Sequence, residues 1–169
     1  MAFQSNGRRA VIRKIDVDEL EIVRELALAI WPGCYRNIIG PDRVDAMLAV
    51  LYATDALEKE MVGEGHVFWV ARFGDLDVGY ASAYRDEERL WLKKLYVRDD
   101  HRGYGIGKDL TQAALDHFGA GASQLVLYVN RDNIPAIDYY KRSGFSIAAE
   151  VPVTMGPYDF TDYMMQRDI

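Results

Sequence analysis

The spacing of apolar residues along this chain changes from mostly helical to strand-like near residue 65. Before that point it is helical. Leu20, Val23, Leu26, Ala27 and Ile30 fall on one stripe, and Asp16 with Glu19 three residues on has the form of a capping box. A helix is therefore predicted from there to the breaker Trp31-Pro32-Gly33. Gly40-Pro41 opens a second helix through about Leu51, with Val44, Met47, Leu48 and Leu51 on one face. Thr54 is placed to cap a third, ending near Gly63 or Gly65. A short strand at Ala10 to Arg13 precedes these helices, and residues 1–8 are expected to be loose.

From His66 the period becomes strand-like. Val67 to Val70, Val78 to Tyr84 and Leu90 to Val97, parted by turns at Gly74-Asp75 and Arg85 to Glu87, read as an antiparallel meander. A further amphipathic helix carries Ile106, Leu110, Ala113, Ala114 and Phe118 and closes at Gly119 and Gly121. Leu125 to Val129 is a continuous apolar run, the pattern of a strand buried on both faces. Asn133 to Ser143 follows as a helix with Pro135 in its first turn and Gly144 as a left-handed cap, and strands near Phe145 to Val151 and Tyr163 to Arg167 finish the chain. The sum is an α+β fold, one domain over residues 1–169, with a central mixed, mostly antiparallel sheet flanked by helices on both faces.

Composition narrows the function. At 169 residues the chain can bury one core without staples. Its longest apolar run, Ala46 to Ala53, is eight residues where a membrane span needs about 18, and no export leader opens it. A cytoplasmic protein with no membrane partner is expected. The lone Cys34 leaves no disulfide framework, and packing or simple exposure accounts for it better than nucleophilic work. Twenty basic against 26 acidic residues give −6, which argues against a nucleic-acid partner. His66, His101 and His117 stand at no metal-ligand spacing, so no metal is expected.

The informative stretch is Leu95 to Lys108: a strand, a short turn, alternate glycines, then a helix. The first turn of a helix has unpaired N–H groups and the positive end of the macrodipole, and glycines remove the Cβ atoms that would hold a phosphate away. Two familiar phosphate loops fail on spacing. A dinucleotide G-x-G-x-x-G from Gly103 needs glycine at Lys108, and a P-loop needs glycine at Arg102 and a hydroxyl at Asp109.

Arg102-x-x-Gly105-x-Gly107 matches instead the R/Q-x-x-G-x-G/A signature of the GCN5-related N-acetyltransferases (GNAT). Val129-Asn130-x-x-Asn133-x-x-Ala136-Ile137-x-Tyr139-Tyr140-Lys141-x-x-Gly144-Phe145 resembles that family's second cofactor motif. The resemblance covers about residues 10–167, and the pattern around Trp31, Tyr35 and Met47 to Met61 resembles bacterial members that acetylate small amines, polyamines among them. It implies acetyl-coenzyme A (acetyl-CoA) in a V-shaped opening between the strand ending at Val97 and the strand Leu125 to Val129. Leu95 and Val97 would offer backbone groups to the pantetheine, and an N–H near Leu95 or Tyr96 would polarise the thioester carbonyl. Backbone amides of Arg102, Gly103, Tyr104, Gly105, Ile106, Gly107 and Lys108 would hold the pyrophosphate, helped by the side chains of Arg102 and Lys108. Asn133 would bond the cofactor arm, and the Tyr140 hydroxyl would protonate the departing sulfur as general acid.

The resemblance further implies acetyl transfer by direct attack of a primary amine, on a small molecule or a peptide. An acyl-CoA sensor or docking module on the same fold is the alternative. An alkylamine has a pKa of about 10.4 and must lose a proton first. Many relatives use a glutamate on the strand that here reads Leu90-Trp91-Leu92-Lys93-Lys94, with no acid. The carrier is then Glu88 or Glu87 just upstream, a tyrosine such as Tyr84 or Tyr35, or a water chain, with Glu88 as the named candidate. Trp31 and Tyr35 are candidates for contact with the acceptor, and pairing into a homodimer is compatible with the family. Residues 89–108 hold six basic side chains against Asp99 and Asp100, a local +4 that leaves −10 for the rest. The cradle is thus positive, and the remaining surface favours approach of a cationic amine.

Overall fold

The computed structural model describes residues 9–169, so the expected loose segment 1–8 lies outside the described residues. The chain runs β1 (Val11–Lys14), α1 (Leu20–Ile39), α2 (Pro41–Leu51), α3 (Thr54–Glu58), β2 (Val67–Phe73), β3 (Leu76–Asp86), β4 (Arg89–Val97), α4 (Ile106–Phe118), β5 (Gln124–Asn130), α5 (Ile134–Arg142), β6 (Ser146–Met155) and β7 (Tyr158–Asp168). Seven strands form one sheet in the order β1-β2-β3-β4-β5-β7-β6. Only β4 and β5 are parallel neighbours; the other pairs are antiparallel. The mixed, mostly antiparallel sheet has α1 to α3 on one face and α4 with α5 on the other, as the patterning predicts.

Each face has its own core. Under α1 to α3, Val23, Ala27, Leu48 and Leu57 meet Phe68, Val70 and Tyr80; under α4 and α5, Ile106, Leu110, Ala114 and Ile137 meet Ala81, Leu90, Leu125 and Leu127. A fully buried side chain of the Leu or Phe class contributes about 1.5–3 kcal/mol, and both faces carry many.

Four expectations are corrected. First, α1 does not stop at Trp31-Pro32-Gly33 but runs on to Ile39, with Pro32 inside it and Gly40 (φ 89°) ending it. The carbonyl that Pro32 deprives of a partner belongs to Leu28, a residue on the exposed face of the helix, and Trp31 and Tyr35 one turn apart pack with tilted rings whose centroids are 4.8 Å apart. Secondly, Thr54 is the first residue of α3 rather than its cap, and α3 passes directly into a π turn, Lys59–Gly63. Thirdly, Arg85 and Asp86 belong to β3, because the Arg85 guanidinium reaches the carbonyls of Phe118 and Ala120 and satisfies the end of α4. Finally, β6 and β7 extend to a tight turn at Gly156-Pro157, with Met155 opposite Tyr158. Pro152 is tolerated within β6 because β6 is an edge strand.

Candidate active site

The site begins as a fault in the sheet. β4 pairs with β5 only from Arg89 to Trp91. Just beyond, the β3 register passes from Ala83–Leu92 to Ser82–Lys94, which leaves Lys93 as the extra residue of a β-bulge. A bulge bends its strand and increases the local twist. Here it coincides with the end of pairing, so β4 and β5 diverge into a V, and the β5-facing edge of Leu92 to Val97 has no strand partner among the described residues. The bulge also inverts the facing of the strand. Leu90 and Leu92 pack beneath α4, whereas after it Leu95 and Val97 do so and Lys94 and Tyr96 turn towards α1 to α3. A cleft of about 1300 Å³ fills the V and runs through the sheet from one helical layer to the other.

The α4 wall is backbone-built. Gly103 and Gly105 hold left-handed backbone (φ 85° and 75°) with open space where a Cβ would stand. Gly107 differs, because a Cβ there would lie 2.9 Å from the Tyr139 hydroxyl; this glycine admits α5 against α4. Arg102, Gly103, Gly105, Ile106, Gly107 and Lys108 all line the cleft. The Tyr104 side chain does not: it is 60% exposed and turned onto Phe73 at 5.3 Å, so only its backbone could serve a ligand. Arg102 ion-pairs with Asp99 at 3.1 Å and donates to Cys34 Sγ at 3.5 Å, tying the loop to α1. Burial pushes the Cys34 thiol up, more than Arg102 pulls it down, so it remains protonated.

The α5 wall carries the second motif. Asn133 caps α5, its side-chain oxygen accepting from the Ala136 N–H at 3.4 Å, and the same side chain reaches the Tyr35 hydroxyl and pulls its pKa downward. Tyr140 lines the cleft, held edge-on against Phe145 at 5.5 Å, and its hydroxyl has no hydrogen-bond partner among the described residues. Burial, with smaller contributions from Tyr35 and Tyr139, drives that hydroxyl far above the ordinary tyrosine value. It therefore stays protonated at neutral pH.

Side chains make the α1 end. The Tyr35 and Tyr96 hydroxyls share a hydrogen bond at 2.7 Å, and Trp31 packs on both rings. Burial pushes Tyr35 up to about 12 against the pull of its bond to Tyr96. Lys94, buried over the rings of Tyr52 and Phe68, donates to both Glu60 carboxylate oxygens at 2.8 and 2.7 Å, and His66 Nδ1 lies 3.2 Å from the same carboxylate. Burial raises Glu60, but His66 and Lys94 together hold it below the ordinary range; burial lowers Lys94 despite Glu60. His66, Tyr84, Trp91 and Tyr128 form a ladder of rings, with centroids 4.5, 6.1 and 5.0 Å apart. Tyr128 is 48% exposed, which corrects the reading of β5 as buried on both faces: its ring stands where the sheet has opened.

The structure thus gathers Trp31, Tyr35, Leu95, Tyr96, Val97, Asn133 and Tyr140 around one cleft with the glycine loop. Glu88 is not among its lining residues. It sits in the β3–β4 turn at the opposite end of β4, its carbonyl accepting from Ser123 and its carboxylate 3.4 Å from the Ser123 hydroxyl. Sequence reasoning missed Glu60, Lys94 and Asp162, all of which line the cleft. Only the unexplained lysine pair Lys93-Lys94 signalled anything, since Glu60 lies 34 positions from its partner.

Comparison with known proteins places this architecture among acetyltransferases. A model of the acetyltransferase (GNAT) domain matches residues 64–147, from the turn before β2 into β6. A spermidine N(1)-acetyltransferase from Thermoplasma acidophilum is 24% identical over 161 residues, covering 92% of this chain and 95% of that one. An uncharacterized N-acetyltransferase from Mycobacterium tuberculosis is 27% identical over 156 residues, covering 91% and 98%. The crystal structure of PaiA N-acetyltransferase from Thermoplasma acidophilum, in complex with coenzyme A, aligns with a TM-score of 0.79 at 22% identity over 95% of this chain and 99% of that one. The chain belongs to the GNAT family of acetyltransferases. Among the described residues no helix is long and apolar enough to cross a membrane.

Proposed function

We propose that this chain transfers an acetyl group from acetyl-CoA to a primary amine by direct attack. The observation that carries the reading is the meeting, across the gap between β4 and β5, of a glycine-built anion cradle on one side and an unengaged, protonated Tyr140 hydroxyl on the other. The cofactor supplies an activated thioester. The left-handed glycines and the N–H groups of the first turn of α4 suit its pyrophosphate, with Arg102 and Lys108 adding charge. The unpaired edge of β4 suits its amide-bearing arm, which would add to the sheet as a strand does, with Asn133 bonding it from α5. A backbone N–H near Leu95 or Tyr96 stabilises the oxygen on which charge develops, and Tyr140 donates its proton to the departing sulfur.

Proton removal from the amine is assigned to water within the cleft. Glu88 stands outside it, and burial holds Tyr35 and Tyr84 protonated, which suits them to donating rather than accepting. Calorimetry with coenzyme A, and thiol release from acetyl-CoA against an amine panel, test the whole reading. Tyr140→Phe should lower kcat about a hundredfold with cofactor affinity unchanged. Absence of both cofactor binding and turnover in the unaltered protein would sink it.

A further inference from the structure

Three acidic residues line the cleft, and their circumstances differ. Glu60 is neutralised by Lys94 and His66, and Asp132 is exposed at the tip beyond β5. Asp162, on β7, is half-buried and makes neither an ion pair nor a side-chain hydrogen bond among the described residues. Burial lifts its carboxyl above the ordinary range, while Lys93, the bulge residue across the gap, pulls the other way without coming within ion-pair distance. The same carboxylate helps to raise Tyr35 on α1, so its charge is felt inside the cleft.

Sheet register fixes where Asp162 stands. It pairs with Asn130 of β5, two residues beyond the Tyr128–Met164 pair, and with Val151 of β6. Directly paired residues share a face, as do alternate residues, so Asp162, Phe160 and Tyr128 project from one side of the sheet. All three line the cleft. A half-buried carboxylate that shares one side of a cleft with aromatic residues suits an organic cation, through charge-assisted hydrogen bonds and attraction to aromatic rings. Strands lie roughly 5 Å apart, and β7 is one strand beyond β5, so Asp162 is set back from the gap between β4 and β5 by at least that distance.

We propose that Asp162 anchors a second, non-reacting ammonium group of the acceptor, and that the acceptor is accordingly an alkane diamine or polyamine rather than a monoamine. The inference rests on the acetyl-transfer reading for the identity of the reacting end, but the anchor is a binding claim that can be examined separately. The two probes are α,ω-diaminoalkanes of graded length and n-alkylamines of matched length. They share one amine and differ in the second charge.

With the unaltered protein, calorimetry should show the best diamine binding at least about tenfold more tightly than its matched monoamine, and kcat/KM should favour it by a similar factor. Asp162→Asn should erase that preference, raising the diamine Kd and KM about tenfold while the monoamine and coenzyme A constants move less than about twofold. A merely structural role would move both amines together, and Asp162→Glu should restore part of the preference. The inference is overturned if the unaltered protein shows no diamine preference, a result that needs no variant, or if Asp162→Asn weakens both amines alike. Should diamine bind through Asp162 while no amine is ever acetylated, the anchor stands and the acetyl-transfer reading falls.

Discussion

At the α4 end the cleft is lined by one short stretch of loop and first helical turn, Arg102, Gly103 and Gly105 to Lys108, with glycine at three of its positions. At the α1 end it is lined by side chains, drawn from α1, the π turn, β3, β4, β5 and β7. The first end is fixed by backbone conformation, and what it cannot tolerate is a Cβ in the wrong place. The second is fixed by charge pairing and ring contacts, and what it cannot tolerate is the loss of a partner. A surface built for a common, invariant ligand can be made from backbone, whereas one that distinguishes among acceptors needs side chains that can be exchanged.

Disturbing each end in its own currency sharpens the contrast. The largest effect is expected from Glu60→Gln, which leaves Lys94 buried without its counter-charge and should cost about 3 kcal/mol of stability, read as a fall in denaturation midpoint. Glu60 titrates below its ordinary value in the folded protein, so its contribution is present above about pH 4.3 and is lost as pH falls through the lower, folded value. In Glu60→Gln the acid-side loss should shrink. Stability should instead rise with pH on the alkaline side, because the unfolded chain then binds a proton at Lys94 that the folded chain does not hold. A variant as stable as the parent would show that the ion cluster carries nothing.

Next in size is Gly105→Ala. It forces an L side chain into a left-handed conformation, a strain of about 1–2 kcal/mol, and should weaken coenzyme A binding while acceptor preference stays unchanged. If acceptor preference moved as well, the two ends would not be separable in this way. Smallest is Tyr104→Ala. Its ring points away from the cleft, so coenzyme A affinity should change by less than about twofold, and a larger loss would show that this end depends on side chains after all.

The same division explains what could be read in advance. The glycine loop, Asn133 and Tyr140 occupy two short segments; the loop is legible from its own glycine spacing, whereas Asn133 and Tyr140 are legible through the resemblance of the second segment to a family motif. The helical layers were legible from the stripes of α1, α2 and α4, because periodicity records burial directly. The Lys94–Glu60 pair and Asp162 were not legible, since nothing in a linear pattern states that the π turn will meet β4 or that β7 will insert between β5 and β6. The choice of Glu88 erred for a related reason. Nearness in sequence to β4 was read as nearness to the cleft, yet a strand of nine residues has two ends, and Glu88 stands at the wrong one. Pro32 misled in the opposite sense, because whether a helix survives a proline depends on who solvates the orphaned carbonyl.

Lys93 is supernumerary in the ladder between β3 and β4, and so its presence matters more than its chemical nature. Exchanging it for another residue changes one exposed side chain. Removing it would leave the alternation of Leu92, Lys94, Leu95, Tyr96 and Val97 as it stands but would take away the bend at which β4 parts from β5, narrowing the V that holds the cleft. At this codon, then, a substitution and a deletion belong to different orders of consequence: the number of residues in β4, and not only their identity, shapes the opening in the sheet.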